Sequence, residues 1–162
     1  MLFSTRPIGR KAVEAAQAQK EAPAMQRELI RIYAQVLGAV TEAMNASLIF
    51  RETLPGVSAL FAALSRDEAT SLLHLGELLR HVQIPVLPSD GGTPPERESP
   101  AESAKLYLQL QSEGYRIRAA HYRRVARMAR HDTTVQVLEA LAADTSAHAE
   151  ALLAMYTRLC RS

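Results

Sequence analysis

The chain has 162 residues, 48% of them hydrophobic and 22% charged, which suits one globular domain and excludes a disordered chain. A net charge of +2 is too small to indicate a nucleic-acid partner, and no apolar run is long enough to span a membrane. The single cysteine, Cys160, excludes a disulfide within the chain. We therefore expect a cytoplasmic protein that contacts neither nucleic acid nor membrane.

Residues 1–23 are predicted to form an N-terminal tail that precedes one helical domain over residues 24–160. The segment from Arg10 to Ala22 is rich in Ala, Gln, Lys and Glu and is compatible with a helix. It has few large apolar residues with which to dock, and Pro23 interrupts it.

Two long helices are predicted next, over residues of about 24–50 and 57–82, joined by a short link that contains Pro55 and Gly56. The apolar stripe of the first comprises Leu29, Ile32, Val36, Val40, Ala43, Ser47 and Phe50. The stripe of the second comprises Phe61, Leu64, Glu68, Ser71, Leu75, Leu78 and Val82. A carboxylate in such a stripe needs a metal ion or another cation beside it, because burying an unpaired charge is costly. Glu68 is therefore the first candidate site residue.

Residues 83–100 contain five prolines and a glycine pair, which exclude a helix there and predict a long connection. A third helix then starts at Ser99 and Pro100, with Glu102 completing a capping box, and runs to about residue 130. A fourth follows after a short turn, capped by Asp132 or Thr133. Their stripes are Leu108, Gln111, Tyr115, Ala119, Tyr122, Ala126 and Ala129, and Leu138, Leu141, Thr145, His148, Leu152, Met155 and Leu159.

Four long helices with two short links and one long middle link predict an all-α, up-down four-helix bundle. A long crossover between the second and third helices is the ferritin-like topology. In dimetal proteins of that topology, one helix of each pair supplies a Glu and the other supplies Glu-x-x-His, because residues three apart share a helical face.

Two segments of this chain resemble that signature. The second helix carries Asp67-Glu68-Ala69-Thr70-Ser71, with Ser71 in place of the His, and the fourth carries Asp144-Thr145-Ser146-Ala147-His148, with Thr145 in place of the Glu. Leu75-Gly76-Glu77-Leu78-Leu79 and Gln83-Ile84-Pro85 add to the likeness. The chain thus resembles bacterial ferritin-like proteins related to rubrerythrins, most closely their manganese-catalase-like and spore-coat relatives.

The resemblance implies six ligand positions, which fall on Val36, Glu68, Ser71, Tyr115, Thr145 and His148. Only Glu68 and His148 keep metal-binding side chains, so the other four positions are vestigial. A shift of about one turn in the first or third helix would make Glu42 or Glu113 the missing ligand. A mononuclear iron or manganese site would need Glu68, His148 and a third ligand such as Glu113 or Asp144.

The preferred interpretation is a polar remnant without a cofactor, in which Glu68 and His148 hydrogen-bond each other and the hydroxyls of Ser71, Thr145 and Tyr115. We accordingly expect a non-catalytic structural or interaction module. The alternative is a metal-binding protein or oxidoreductase with a reduced iron or manganese site, or a subunit that completes such a site with another chain. The resemblance also implies a homodimer through the first two helices, with Leu48, Ile49, Leu72 and Leu73 as the exposed contact residues, or another protein partner.

Overall fold

A computed structural model describes residues 21–80, 82 and 92–162, which form four helices and no strand. α1 spans Pro23–Phe50, α2 spans Pro55–Leu78, α3 spans Pro100–Met128 and α4 spans Asp132–Arg161. The prediction of an all-α four-helix chain is confirmed, although α2 ends at Leu78 and not at residue 82. Most of the predicted tail and residues 81 and 83–91 of the long connection lie outside the described residues.

Three of the four helices begin with the proline or capping residues that favour a helix start, and the fourth does not. Proline occupies the beginning of α1, α2 and α3, where its missing N–H costs no hydrogen bond. The predicted cap of α3 is confirmed, because the N–H of Glu102 donates to Ser99 Oγ at 3.2 Å. The predicted cap of α4 is wrong: His131 precedes the helix without a side-chain cap, and Asp132 is already its first residue. The Asp132 carboxylate still favours this end through the helix dipole.

Apolar side chains form two clusters, one toward each end of the bundle. The first cluster joins the start of α1, the end of α2, the end of α3 and the start of α4; its members are Met25, Leu29, Ile32, Val36, Leu75, Leu79, Tyr122, Val125, Ala126, Leu138, Leu141 and Ala142. The second joins the opposite ends of the same helices; its members are Ala43, Ala46, Phe50, Val57, Phe61, Leu64, Ala104, Tyr107, Leu108, Tyr115, Ala149 and Leu152. Along α2 and α4, Glu68 and Thr145 fall between the two clusters, which leaves a polar layer at mid-height.

The helices pair as two hairpins, α1 with α2 and α3 with α4, and the hairpins meet through α2–α4 and α1–α3 contacts. Within each hairpin, serine hydroxyls of one helix donate hydrogen bonds to backbone carbonyls of the other helix. Ser58 Oγ–H donates to the Ser47 carbonyl at 2.7 Å, Ser65 Oγ–H to the Val40 carbonyl at 3.1 Å, and Ser112 Oγ–H to the Ala149 carbonyl at 3.0 Å. Such small side chains allow close helix approach and satisfy their own hydroxyls.

Two segments flanking the helices are tied to the bundle. The buried Glu21 carboxylate accepts the N–H groups of Arg130 at 3.3 Å and His131 at 3.0 Å, which fastens the start of α1 to the α3–α4 turn. At the end of the long connection, Gly92 lies against α1, since a Cβ placed there would come within 3.2 Å of Glu42 Oε1.

The predicted dimer surface is only partly exposed. Leu48, Ile49 and Leu73 are 55%, 49% and 72% exposed. The prediction that Leu72 is exposed is wrong, because this side chain is half-buried against the first cluster. Leu73 lies in the part of α2 beside the first cluster, and Leu48 lies at the end of α1 beside the second. These side chains consequently do not form one continuous patch. Among the described residues, no helix combines the length and apolar content needed to cross a bilayer.

Candidate functional site

Glu68 is the centre of the polar layer between the two clusters. The residue is 1% exposed, and it lies one turn beyond Leu64 and two turns before Leu75 on the inward face of α2. Helical periodicity alone places it there, because the apolar residues on both sides fix which face is buried. The prediction of an inward carboxylate is confirmed.

His148 of α4 reaches the same layer and links it to the surface. Its Nδ1 lies 3.4 Å from Glu68 Oε1, and its Nε2–H donates to Asp67 Oδ2 at 3.2 Å. The Glu68 side chain is 2% exposed and the Asp67 side chain is 64% exposed. The imidazole therefore stands between a buried carboxylate and a solvated one.

Arg118 of α3 supplies a cation that the sequence analysis missed. The Arg118 side chain is only 17% exposed, and its Nη2 lies 3.8 Å from Glu68 Oε1. The guanidinium carbon lies 4.0 Å above the centre of the Tyr115 ring, in a cation–π arrangement. The signal was available, because Arg118 follows Tyr115 by three residues and precedes Tyr122 by four.

Tyr115 and Tyr122 complete the surroundings of this pair as neutral side chains. The Tyr115 ring meets the His148 ring edge to face, with centroids 5.7 Å apart. Burial, followed by the charge of Glu68, raises the pKa of Tyr115 well above its ordinary value, although Arg118 opposes the shift. Burial likewise raises the pKa of Tyr122 to about 12. Both hydroxyls therefore stay protonated at neutral pH.

The four charged groups form a chain of alternating sign, in the order Arg118, Glu68, His148 and Asp67. Burial by itself lowers the pKa of His148, but the charge of Glu68, together with the charge of Asp67 and the hydrogen bond to it, outweighs burial and raises the pKa above its ordinary value. Both ring nitrogens face a carboxylate oxygen, which favours the doubly protonated imidazolium. With His148 charged, two cations balance two anions.

The charges of Glu68 and His148 are compensated, but these two side chains form few well-aligned hydrogen bonds. Within the described part of the chain, neither Glu68 oxygen nor His148 Nδ1 has a hydrogen-bond partner of good geometry. Glu68 therefore lacks the expected hydrogen bonds to His148 and to the hydroxyls of Ser71, Thr145 and Tyr115. The Glu68 carboxylate is thus held by nearby charge more than by directed hydrogen bonds.

The remaining predicted positions divide into buried and exposed sets. Val36, Ser71, Tyr115 and Thr145 are all buried, as their inward positions required. Glu113 instead lies at the surface and pairs with Arg116 at 3.2 Å, and Asp144 lies exposed beside Ser71 and His74 in a shallow groove between α2 and α4. Glu42, the ligand offered by a shifted register, accepts from Gln111 at 3.5 Å on the α1–α3 side. Glu113, Asp144 and Glu42 therefore do not join Glu68.

These residues do not fit a dimetal centre. No group of three His, Cys, Asp or Glu side chains within residues 21–80, 82 and 92–162 is arranged to hold one ion. Asp67 faces the opposite ring nitrogen of His148 from Glu68, so these three side chains do not converge on one point. Arg118 adds a positive charge beside the Glu68 oxygen that faces His148, and this charge disfavours a metal cation between the two side chains.

Comparison with protein-family models, with curated proteins and with solved structures found no match for this chain.

Proposed function

We propose that this chain is a ferritin-like bundle whose own cations have replaced bound metal, and that it acts as a non-catalytic structural or interaction module. The observation that carries the proposal is the position of the Arg118 guanidinium, 3.8 Å from the buried carboxylate of Glu68. In a dimetal protein the metal ions would compensate such a carboxylate. Here an arginine and a histidine compensate it.

The distribution of helix ends supports the ferritin-like part of the proposal. The starts of α2 and α3 both contribute to the second cluster, and their later parts both contribute to the first. These two helices therefore run in the same direction, which is the arrangement that a long connection between them requires. Val82 packs against the first cluster, whereas Gly92 lies beside Glu42, which is close in α1 to Ala43 of the second. These two positions support a long crossover between α2 and α3.

The filled interior supports the non-catalytic part. Val36, Tyr115 and Thr145 occupy positions where the family resemblance expects carboxylates, and all three are buried. An enzyme of this class needs open coordination positions and a route for its substrate. Val36 fills space and has no donor atom, and the neutral hydroxyl of Tyr115 is a weaker ligand than the carboxylate it replaces.

Metal analysis of the purified protein tests this proposal. Protein prepared without chelator, and then titrated anaerobically with Fe²⁺ and Mn²⁺, is expected to hold well under about half an equivalent of either metal per chain. Chelator should leave its unfolding temperature unchanged. A higher content that Glu68→Ala abolishes, and that the exposed-site control Glu77→Ala retains, would overturn the non-catalytic assignment.

A second candidate function is a metal-binding protein or oxidoreductase with a reduced iron or manganese site at Glu68 and His148. It is favoured by one observation, the absence of good hydrogen-bond partners at both Glu68 oxygens and at His148 Nδ1 within the described residues. Such atoms are free to coordinate an ion. The same titration separates the two candidates, since only this one predicts metal that depends on both Glu68 and His148.

A further inference from the structure

The C-terminal half of α3 and the turn after it are rich in arginines, most of which do not contact the Glu68 site. Between Gly114 and His131 the chain has six arginines and no carboxylate. Arg118 turns inward to Glu68, while the other five are exposed: Arg116, Arg123, Arg124, Arg127 and Arg130. Among the described residues, Arg123, Arg124, Arg127 and Arg130 form no ion pair, although Arg31, Arg51 and Arg80 elsewhere do. Their charge is available to a partner.

This basic face adjoins an apolar groove between α3 and α4. The groove encloses about 530 Å³, and Ile117, Ala120, Ala149 and Leu153 form its apolar lining. Ile117 and Leu153 are 62% and 49% exposed, so they offer apolar surface to a docking side chain. Arg123 spans the edge of the groove, since its Nη2 donates to Ser146 Oγ at 2.7 Å.

The charges along the groove also differ from end to end. Glu113, its ion-pair partner Arg116 and Glu150 line it toward the second cluster, which leaves one net negative charge there. Arg123 lines it toward the first cluster, and Arg127 follows one turn later on α3. From Glu113 to Arg127 the helix rises by about 21 Å. A guest helix of about 18 residues would span that length with about one turn to spare, with its own negative C-terminal dipole directed toward the arginines.

We propose that this α3–α4 groove binds an acidic amphipathic helix of a partner protein. The guest would place apolar side chains against Ile117 and Leu153 and carboxylates against Arg123 and Arg127, which is helix-in-groove recognition with bidentate arginine contacts. The apolar lining beside Arg123 and Arg127 favours such a helix over nucleic acid, because none of the described residues that line the groove is an aromatic side chain for base stacking. It favours a helix over a membrane surface, because the groove is concave and its rim also carries Glu113 and Glu150. The inference rests on the proposed interaction role and names the surface that performs it.

The test uses a labelled synthetic peptide of about 18 residues, with leucines at helical spacing on one face and glutamates on the other. Two matched peptides accompany it, one with lysine in place of every glutamate and one with the same composition scrambled. Fluorescence anisotropy is measured with the intact chain, with Arg123→Glu/Arg127→Glu, with Ile117→Ser/Leu153→Ser, and with the control Arg66→Glu/Arg158→Glu. The control changes the net charge equally on exposed arginines elsewhere.

We expect the acidic peptide to bind the intact chain with a micromolar Kd and both groove variants to bind it at least about tenfold more weakly. The control should change the Kd by less than about twofold. Equal binding of the lysine or scrambled peptide, equal loss in the control, or no binding of the acidic peptide would overturn the proposal. So would tighter binding of a DNA duplex or of phosphatidylserine vesicles through the same arginines. These outcomes are independent of metal content, so failure here leaves the proposed function separately testable.

Discussion

The guanidinium of Arg118 lies 3.8 Å from the Glu68 carboxylate and stacks on Tyr115, so α3 neutralises a charge that α2 buries. This contact joins the two hairpins through their polar layer. A carboxylate in an apolar stripe needs a compensating cation, and for Glu68 that cation is a side chain of the protein itself.

Removing Arg118 should cost more stability than removing a surface arginine. Arg118→Met leaves Glu68 charged and buried with His148 as its one remaining cation, and we expect a loss of about 3 kcal/mol in the free energy of unfolding. Urea denaturation measures it. Arg116→Met, which breaks the exposed pair with Glu113, should cost less than about 1 kcal/mol.

Neutralising both partners should be less harmful than the two single changes added together. Glu68→Gln removes the charge that Arg118 compensates, so Glu68→Gln/Arg118→Met is expected to recover about 1 kcal/mol or more relative to the sum of the single variants. Strict additivity in this double-mutant cycle would mean that the two groups do not interact.

The stability contributed by His148 should fall as the pH rises. Folding raises the pKa of His148 above its ordinary value of about 6.5, so the folded state holds this proton more tightly than the unfolded chain. The contribution is complete below about pH 6.5 and is lost as the pH rises through the higher pKa of the folded state. Urea denaturation of the wild type and of His148→Gln, from below pH 6.5 to well above it, measures how the difference in their unfolding free energies changes with pH.

The exposed His74 provides the control for that experiment. His74→Gln should leave the dependence of the unfolding free energy on pH close to that of the wild type. A wild-type slope that persists unchanged in His148→Gln would show that another group is responsible.

Glu21 should stabilise the junction between α1 and the α3–α4 turn. Glu21→Gln replaces the charged acceptor of the Arg130 and His131 N–H groups, so we expect a loss of about 1–2 kcal/mol and faster hydrogen exchange at these two amides. The exposed Glu139→Gln is the control. Unchanged exchange at both amides would contradict this role.

The cap of α3 gives a local prediction. Ser99→Ala removes the acceptor for the Glu102 N–H and should cost about 1 kcal/mol, whereas Ser99→Gly should cost only a few tenths. Thermal unfolding of the two variants measures the contrast. Equal losses would indicate a role for Ser99 other than capping.

The sequence by itself determined the helices and the faces they bury. Helical spacing depends on neighbours three and four residues apart, so Glu68, Tyr115 and His148 could be assigned to inward faces without knowing what they meet. The start of α3 was equally readable, because Ser99, Pro100 and Glu102 form a capping signal within one turn.

Only the tertiary structure decided what compensates the buried carboxylate. Arg118 lies 50 residues beyond Glu68 in the sequence, and this separation gives no hint of a contact. The two side chains meet because the hairpins pack with these helical turns at the same height. The same packing sends Glu113 and Asp144 to the surface and directs Nε2 of His148 to Asp67. Periodicity gives the direction of each side chain from its own helix axis, but the partner across the core depends on the relative rotation and height of two helices.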